Sequence, residues 1–148
     1  MSDRVFIDTN IFLYALTTAK EKNKKQDLPK RLKSLELLTK LFNENQIVVS
    51  VQVLNELHFN MLRKFKLDDK LVSKTIEDNV FAIATVEDLS LQTYKKAFQV
   101  RKNYNISYWD SLVIASALES DCTQLYSEDM QENLVIDSIL TIINPFKE

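Results

Sequence analysis

The sequence predicts an α/β fold in which helices cover both faces of a mostly parallel sheet of about four to five strands. One reason is that short, uniformly apolar segments alternate along the chain with longer segments of helical periodicity. A second is that the 148 residues are 45% apolar and 27% charged, the balance of a globular domain. A third is that no linker, repeat or low-complexity stretch divides the chain. We therefore expect a single domain over residues 1–148.

Polar residues and one proline mark where the first helices begin. Asp8 directly follows the first apolar run and predicts a strand that meets a helix start. Pro29 is expected to open the second helix, because proline fits the first helical position. Ser50 and Asp68 are the expected caps of the next two helices. These signals predict strands at 5–7, 47–49, 81–86 and 123–126, further strand material at 134–136 and 139–143, and helices at 10–18, 29–45, after 50, after 68, at 89–104 and at 107–119.

Rare residue types exclude several classes of site. The chain has no glycine, and P-loops, Rossmann dinucleotide loops and kinase glycine-rich loops all need glycine for the backbone to approach phosphates. One cysteine and one histidine cannot build a Cys/His zinc centre or an internal disulfide. We expect Cys122 to be a small core residue and His58, on the apolar stripe of its helix, to be structural. Any metal would therefore need carboxylate ligands.

The charge pattern is uneven along the chain. The net charge of −2 and the pI near 5.5 are not those of a polycation that coats nucleic acid. Segment 20–33, in contrast, has seven basic residues against two acidic ones. Two interpretations stay open for it, a solvated loop that runs into a helix and a surface that contacts phosphates. No secretion signal or membrane span is visible, so we expect a cytoplasmic protein with no membrane contact.

Four acidic residues fall where the predicted fold brings strand ends and helix starts together. Parallel strands present their carboxyl ends at one edge of the sheet, and ligands bind at that edge. The four are Asp8 after the first strand, Glu56 in the helix after the second, Asp110 at a helix start and Asp129 after the fourth strand. Converging carboxylates repel one another, and a shared divalent cation is the simplest physical reason to gather them.

Each of these acids also has a structural interpretation. Asp8 alone fits a helix N-cap, and Asp110 has the spacing of a capping box. Glu56 lies opposite the apolar stripe of its helix, as a solvated side chain would. Glu128 competes with Asp129 for the fourth position. The sequence favours an acidic site without deciding these points residue by residue.

Four segments in this order resemble a known family. They are 5–13 (VFIDTNIFL), 50–57 (SVQVLNEL), 108–117 (YWDSLVIASA) and 126–129 (YSED). Together they resemble the PIN domain and, within it, the VapC-type toxins of prokaryotic toxin–antitoxin pairs. The resemblance covers nearly the whole chain and implies a three-layer α/β/α fold. The lack of glycine is unusual for that family.

The resemblance implies a metal-dependent endoribonuclease that hydrolyses RNA with Mg²⁺ or Mn²⁺ and leaves 5′-phosphate and 3′-hydroxyl ends. The catalytic and metal-binding quartet of the family corresponds to Asp8, Glu56, Asp110 and Asp129. Candidates for supporting hydrogen bonds are Asn10, Ser111 and Ser127, and candidates for contacts to the RNA backbone are Lys24, Lys25, Lys30 and Arg31. For Trp109 both core packing and stacking on an RNA base stay open.

The resemblance also implies partners. A VapC-type toxin has a cognate antitoxin protein, and many such toxins form homodimers. A solitary RNA-processing nuclease and a non-catalytic PIN scaffold that binds RNA or protein are the alternatives. A haloacid-dehalogenase-like phosphatase is disfavoured, because it would carry a second aspartate where this chain has Asn10.

Overall fold

The computed structural model describes residues 2–18 and 23–147. The order of its strands and helices largely matches the predicted order. In chain order they are β1 (Arg4–Ile7), α1 (Thr9–Leu16), α2 (Lys24–Glu44), β2 (Gln46–Ser50), α3 (Val51–Arg63), α4 (Asp69–Ile76), a π-helical turn (Glu77–Phe81), β3 (Ala84–Glu87), α5 (Leu91–Asn103), α6 (Tyr108–Glu119), β4 (Cys122–Tyr126), β5 (Val135–Ile136) and β6 (Leu140–Ile143).

The six strands of the described residues form one sheet in the order β3-β2-β1-β4-β6-β5. All neighbouring strands are parallel except β5 and β6. β1 therefore lies between β2 and β4, and its Val5, Phe6 and Ile7 are fully buried. Helices flank the sheet: α1 packs against α2 and α3, and α5 packs against α6. The predicted α/β fold with a mostly parallel sheet is confirmed.

The number of strands exceeds the prediction of four to five. The C-terminal strand material forms a short antiparallel hairpin of β5 and β6. Its turn places Asp137 and Ser138 at φ values of 53° and 59°. Glycine or asparagine usually marks such a turn, and the chain has no glycine, so no hairpin signal is visible in the sequence.

Two predicted boundaries are wrong for local physical reasons. Helix α2 begins at Lys24, and Pro29 lies inside it. The missing N–H of Pro29 removes one hydrogen bond, to the carbonyl of Lys25 in the exposed first turn, so the helix tolerates it. Strand β3 begins at Ala84 rather than at residue 81, because the π-helical turn extends α4 and buries Val80 in the core.

The predicted caps are largely confirmed. The Ser50 side chain accepts a hydrogen bond from the Val53 N–H at the start of α3, and the Ser107 side chain accepts one from the Asp110 N–H at the start of α6. Asp68 occupies the N-cap position of α4 but makes no side-chain cap hydrogen bond. These caps satisfy N–H groups that have no partner within the helix.

The two residues expected to be structural have structural surroundings. Cys122 is fully buried in the core, and His58 pairs its Nε2 with Asp69 at 2.6 Å, which joins α3 to α4. None of the helices in the described part of the chain is long and apolar enough to cross a bilayer.

Candidate active site

The sheet order gathers acidic side chains at the carboxyl edge of β1 and its two neighbours. Asp8 follows β1 and Asp129 lies three residues after β4, which pairs with β1 up to Ile7 and Tyr126. Glu56 lies on α3, which begins directly after β2. Asp110 lies in the first turn of α6. The fold therefore delivers each acid from a different loop or helix to one edge, as expected for an open parallel sheet.

All four predicted acids line one cavity of about 80 Å³. Thr9, Asn10, Gln52, Trp109 and Val113 complete its lining. No lysine, arginine or histidine is among these nine residues. The structure thus brings the predicted acids together and leaves their charge without a basic side chain in the cavity wall.

Asp8 is the most constrained of the four acids. Its Oδ1 accepts a hydrogen bond of 2.8 Å from the Thr9 N–H, which caps α1. Its Oδ2 accepts one of 2.9 Å from Ser127 Oγ. Asp8 therefore caps α1, as its structural interpretation expects, and also lines the acidic cavity. Ser127 lies where a supporting hydroxyl was expected.

Two residues that sequence reasoning missed hold Glu56. Thr9 Oγ1 donates to Glu56 Oε2 at 2.9 Å, and Gln52 Nε2 donates to Glu56 Oε1 at 3.1 Å. Gln52 precedes Glu56 by one helical turn, a spacing at which side chains meet, so this pair was visible in the sequence. Gln52 Nε2 also donates to the carbonyl of Trp109 at 3.3 Å and so links α3 to α6.

The choice between Glu128 and Asp129 has a geometric answer. Asn10 Nδ2 donates to Asp129 Oδ2 at 3.0 Å, and Asp129 lines the cavity. Glu128 is not in the lining: it forms a 2.6 Å ion pair with Lys30 and accepts a 2.7 Å hydrogen bond from Tyr14. Asn10 reaches Glu128 only at 3.5 Å. Asp129 is therefore the fourth acid of the cavity.

Burial and mutual repulsion raise the pKa of two carboxyl groups of the cavity. The pKa of Asp8 is raised to about 6, mainly by burial and also by Glu56 and Asp110, whereas its hydrogen bonds lower it. Burial raises the pKa of Asp110 as well, with Asp129 and Glu56 adding to the effect and Ser107 opposing it. Such shifts mark a site that holds negative charge at a free-energy cost.

Two further expectations meet a different geometry. Ser111 is fully buried and does not contact an acid: its Oγ accepts from Arg101 Nη1 at 2.8 Å and donates to the carbonyl of Tyr108 at 2.6 Å. Trp109 does not pack in the core, since 63% of its surface is exposed at the rim of the acidic cavity. Trp109 is the second residue of α6, and the helical periodicity does not decide whether a side chain in the first turn is buried.

The predicted RNA-contacting residues lie in three different surroundings. Lys24 and Lys25 are exposed at the start of α2. Lys30 is engaged by Glu128. Arg31 lines a neighbouring cavity of about 250 Å³ that shares Asn10 with the acidic one. Lys20 and Lys22 of the same basic segment lie outside the described residues.

The donor set of the cavity fits a hard divalent cation. Its polar lining consists of carboxylate, hydroxyl and amide groups, and oxygen ligands are those that Mg²⁺ and Mn²⁺ prefer. Gln52 is 6% exposed, and its Oε1 is buried with no hydrogen-bond partner among the described residues. Among the described residues, no three Asp, Glu, His or Cys side chains are arranged so that they could already hold one metal ion. Mg²⁺ commonly uses one or two carboxylates and completes its shell with water and phosphate oxygens.

Comparison with solved structures shows the same fold in toxin–antitoxin proteins. VapBC2 from Rickettsia felis, solved on a DNA fragment from its promoter, matches with a TM-score of 0.65 at 20% identity over 95% of this chain and 99% of that one. DNA-bound VapBC from Salmonella typhimurium matches with a TM-score of 0.65 at 16% identity, over 96% and 97%. VapC20 from Mycobacterium tuberculosis, a sarcin–ricin loop cleaving toxin, matches with a TM-score of 0.58 at 12% identity, over 82% and 86%.

Comparison by sequence gives the family. No curated protein matches the chain. The family model of the PIN domain matches residues 5–134, which include all four acids of the cavity. The chain therefore belongs to the PIN domain family.

Proposed function

We propose that this PIN domain is a metal-dependent endoribonuclease and the toxin of a toxin–antitoxin pair. The observation that carries the proposal is the cavity at the carboxyl edge of β1, where four carboxylates meet without a basic side chain in the lining. A cluster of this kind costs stability unless a cation neutralises it. Its retention in a nuclease-type fold is best explained by a site that needs both a cation and a phosphate.

The residues of the cavity divide into two groups. Asp8 and Asp110 would be the principal ligands of Mg²⁺ or Mn²⁺, and Glu56 and Asp129 would hold a second ion or orient the attacking water. When bound, the metal lowers the pKa of water and offsets the charge that develops on the phosphate. Ser127, Thr9 and Gln52 fix the carboxylates through the hydrogen bonds described above. Because the oxygens are held before substrate arrives, little reorganisation is needed during in-line attack.

The partners follow from the similar structures. The solved structures from Rickettsia felis and Salmonella typhimurium are VapBC assemblies, and VapC20 is described as a sarcin–ricin loop cleaving toxin. We accordingly expect an antitoxin that masks the acidic cavity, a homodimeric toxin, and a structured RNA with an exposed loop as the cytoplasmic substrate. Single-stranded loops present unstacked bases that side chains can reach, whereas the bases of duplex RNA stay stacked and paired.

Cleavage of a mixed RNA pool by the purified, antitoxin-free protein tests the proposal. Cuts are expected with Mg²⁺ or Mn²⁺, none with EDTA, and none with Asp110→Asn. Products should carry 5′-phosphate and 3′-hydroxyl ends, since attack by water differs from attack by the ribose 2′-hydroxyl, which leaves a cyclic phosphate. Asp121→Asn is the matched control. Asp121 is exposed outside the cavity at φ 58°, a conformation that asparagine adopts readily.

Each other outcome has a definite meaning. Cuts that persist in EDTA or in Asp110→Asn would refute a carboxylate–metal mechanism. Absence of cleavage from folded native protein, across the pool and isolated ribosomal and transfer RNAs, would refute the nuclease and favour a binding scaffold. Cleavage without any antitoxin in the neighbouring genes would refute the toxin assignment and favour a solitary RNA-processing enzyme.

A further inference from the structure

Helix α5 has an unusual outer surface. It carries four basic residues, Lys95, Lys96, Arg101 and Lys102, and no acidic residue between Leu91 and Asn103. Its buried side, formed by Thr93, Ala97 and Val100, faces the fold. The opposite side holds large apolar groups in solvent: 65% of Leu91 and 51% of Phe98 are exposed. Exposed apolar surface among cations is typical of a binding face rather than of a solvated helix.

Aromatic rings continue from α5 to the start of α6. Tyr94 and Phe98 stack edge to face, with ring centres 5.3 Å apart. Tyr108 and Trp109 form a second such pair at 5.0 Å. We call these four residues together with Arg101 the aromatic face. All four rings are exposed by at least 42%.

Arg101 joins the two ring pairs into one surface. Its guanidinium carbon lies 5.2 Å from the ring centre of Phe98 and 5.0 Å from that of Tyr108. Ser111 fixes the guanidinium by accepting its 2.8 Å hydrogen bond. The end of the aromatic face at Trp109 lines the acidic cavity. The rings therefore lead over the protein surface directly to the place where cleavage is proposed.

We propose that the aromatic face binds single-stranded RNA, with bases on its rings and phosphates near the cations of α5, and directs the strand to the acidic cavity. This inference rests on the proposed nuclease function and adds the substrate path to it. Aromatic rings stack on any base, and arginine adds cation–π attraction. Lys95 and Lys102 are exposed beside the rings and supply charge to the backbone.

The charge of the face favours RNA over a second copy of this chain. In a symmetric dimer the same patch meets itself. Lys96 is paired with Asp137 at 2.8 Å, but Lys95, Arg101 and Lys102 would approach the same three cations of the second copy without an acid in that helix to pair with them. An RNA strand is attracted by the same positive charge, and its bases cover the exposed rings. The occupant is therefore RNA, and self-association is one of the outcomes that the test distinguishes.

Phe98→Leu, measured in full-length protein that also carries Asp110→Asn to prevent cleavage, tests the stacking. The probe is a fluorescein-labelled twelve-nucleotide single-stranded RNA, titrated by fluorescence anisotropy in Mg²⁺. Loss of one base–ring stack should weaken binding about five- to tenfold, at the lower end of the range for such stacks. Phe98→Tyr keeps the ring and should restore the affinity, which a merely apolar role would not require.

Phe59→Leu is the matched control. Phe59 is 55% exposed on α3, and Arg63 lies 5.7 Å from its ring centre, so the chemistry resembles that of Phe98. It is outside both the aromatic face and the lining of the acidic cavity. Its substitution should change RNA affinity less than twofold. Thermal melting of both variants checks that the fold is retained.

The cations are tested by salt dependence. The double variant Lys95→Gln, Lys102→Gln should make the association constant less dependent on salt. The negative slope of log K against log[salt] should shrink in magnitude by about 1.4, since each phosphate contact on a single strand contributes about 0.7. Lys40→Gln with Lys70→Gln, at two exposed lysines of α2 and α4, is the charge-matched control. An equal change in the control would show that only total charge matters and would overturn the assigned path.

Three results would overturn the inference. One is unchanged affinity in Phe98→Leu, and another is equal loss in Phe59→Leu. The third is a native dimer that Phe98→Leu dissociates in light scattering while RNA affinity is kept, which would assign the face to a second copy. Failure of the nuclease proposal is separable. It would appear as no cleavage by native protein in Mg²⁺, whatever the effect of Phe98 on binding.

Discussion

Two groups of polar side chains lie next to each other at the carboxyl edge of the sheet, and they differ in whether a basic side chain neutralises the carboxylates. In the Lys30–Glu128 cluster, Glu128 has a lysine at 2.6 Å and the Tyr14 hydroxyl at 2.7 Å. In the acidic cavity, four carboxylates share the lining without a basic residue. Asn10 lies between them and donates to Asp129 at 3.0 Å and to Glu128 at 3.5 Å.

The difference separates a cluster that its own chain neutralises from the cavity that we propose to be the active site. Glu128 is neutralised by its own chain, so it contributes to folding and needs nothing from outside. Glu128 also joins the first part of α2 to α1, because it pairs with Lys30 of α2 and accepts a hydrogen bond from Tyr14 of α1. Burial and the Glu128 carboxylate raise the pKa of Tyr14, so its hydroxyl remains a donor. The cavity lacks such compensation and stores unfavourable charge that a ligand can relieve. Proximity in sequence does not distinguish the two clusters, but the presence of an internal cation does.

The largest expected effect is the loss of cleavage in Asp8→Asn. The amide keeps the shape of the side chain and can still cap α1, because asparagine is as good an N-cap as aspartate. It removes one charge from the proposed metal site. We expect the cleavage rate to fall at least about a hundredfold, the scale of removing one preorganised electrostatic group. Circular dichroism should show an unchanged fold, and a rate within tenfold of native would contradict the role of Asp8.

The pH dependence of metal-free stability tests the stored charge. The folded pKa of Asp8, about 6, lies above its ordinary value of 3.8. Between these pH values the folded state keeps a proton that the unfolded state has lost, so stability falls as pH rises from about 4 to 6 and levels off above that. The loss is on the order of 3 kcal/mol.

Urea unfolding in EDTA at pH 4, 5, 6 and 7 measures this loss, with Asp8→Asn as the comparison. Other carboxylates titrate in both proteins, so the difference between the two curves isolates Asp8. The native protein should lose more stability than the variant across this range. Parallel curves would mean that the Asp8 carboxyl is not destabilised by its surroundings.

Much of this arrangement could be predicted because strand ends are encoded locally. The apolar run before Asp8 and the caps at Ser50 and Ser107 fix where strands end and helices begin. Parallel topology then brings the following acids to one edge without detailed knowledge of packing. The hairpin of β5 and β6 escaped this reasoning, because Asp137 and Ser138 adopt positive φ without the glycine that normally announces it.

Contacts between distant segments could not be predicted in the same way. Thr9 reaches Glu56 across 47 positions and Lys30 reaches Glu128 across 98. Such pairs depend on how α1, α2 and α3 pack, which periodicity does not specify. The exposure of Trp109 follows from the same limit. Counting charges in segment 20–33 indicated a cationic surface, whereas only the folded chain reveals that Lys30 is already paired.

Magnesium should stabilise the native protein, because the proposed site exists in the folded cavity and not in the unfolded chain. At a free concentration ten times the dissociation constant, the gain is about 1.4 kcal/mol. Thermal melting at pH 7.5 across a Mg²⁺ titration measures it. Asp110→Asn should abolish most of the gain, whereas Asp121→Asn should keep it. An unchanged melting temperature in native protein at saturating Mg²⁺ would show that the cavity does not take the cation.

The smallest expected change in stability is at Glu128, and a comparison with its neighbour Asp129 sharpens the contrast most directly. Glu128→Gln removes the partner of Lys30, an ion pair whose side chains are 33% and 16% exposed, and should cost about 1 kcal/mol of stability. Its cleavage rate should stay within about threefold of native, since the proposed Mg²⁺ ligands all line the cavity and Glu128 does not. Asp129→Asn should do the opposite, with nearly native urea unfolding and a strongly reduced rate. If instead Glu128→Gln lost activity and Asp129→Asn lost stability, Glu128 would be the fourth acid. The boundary between the structural and the functional cluster would then lie on the other side of Asn10.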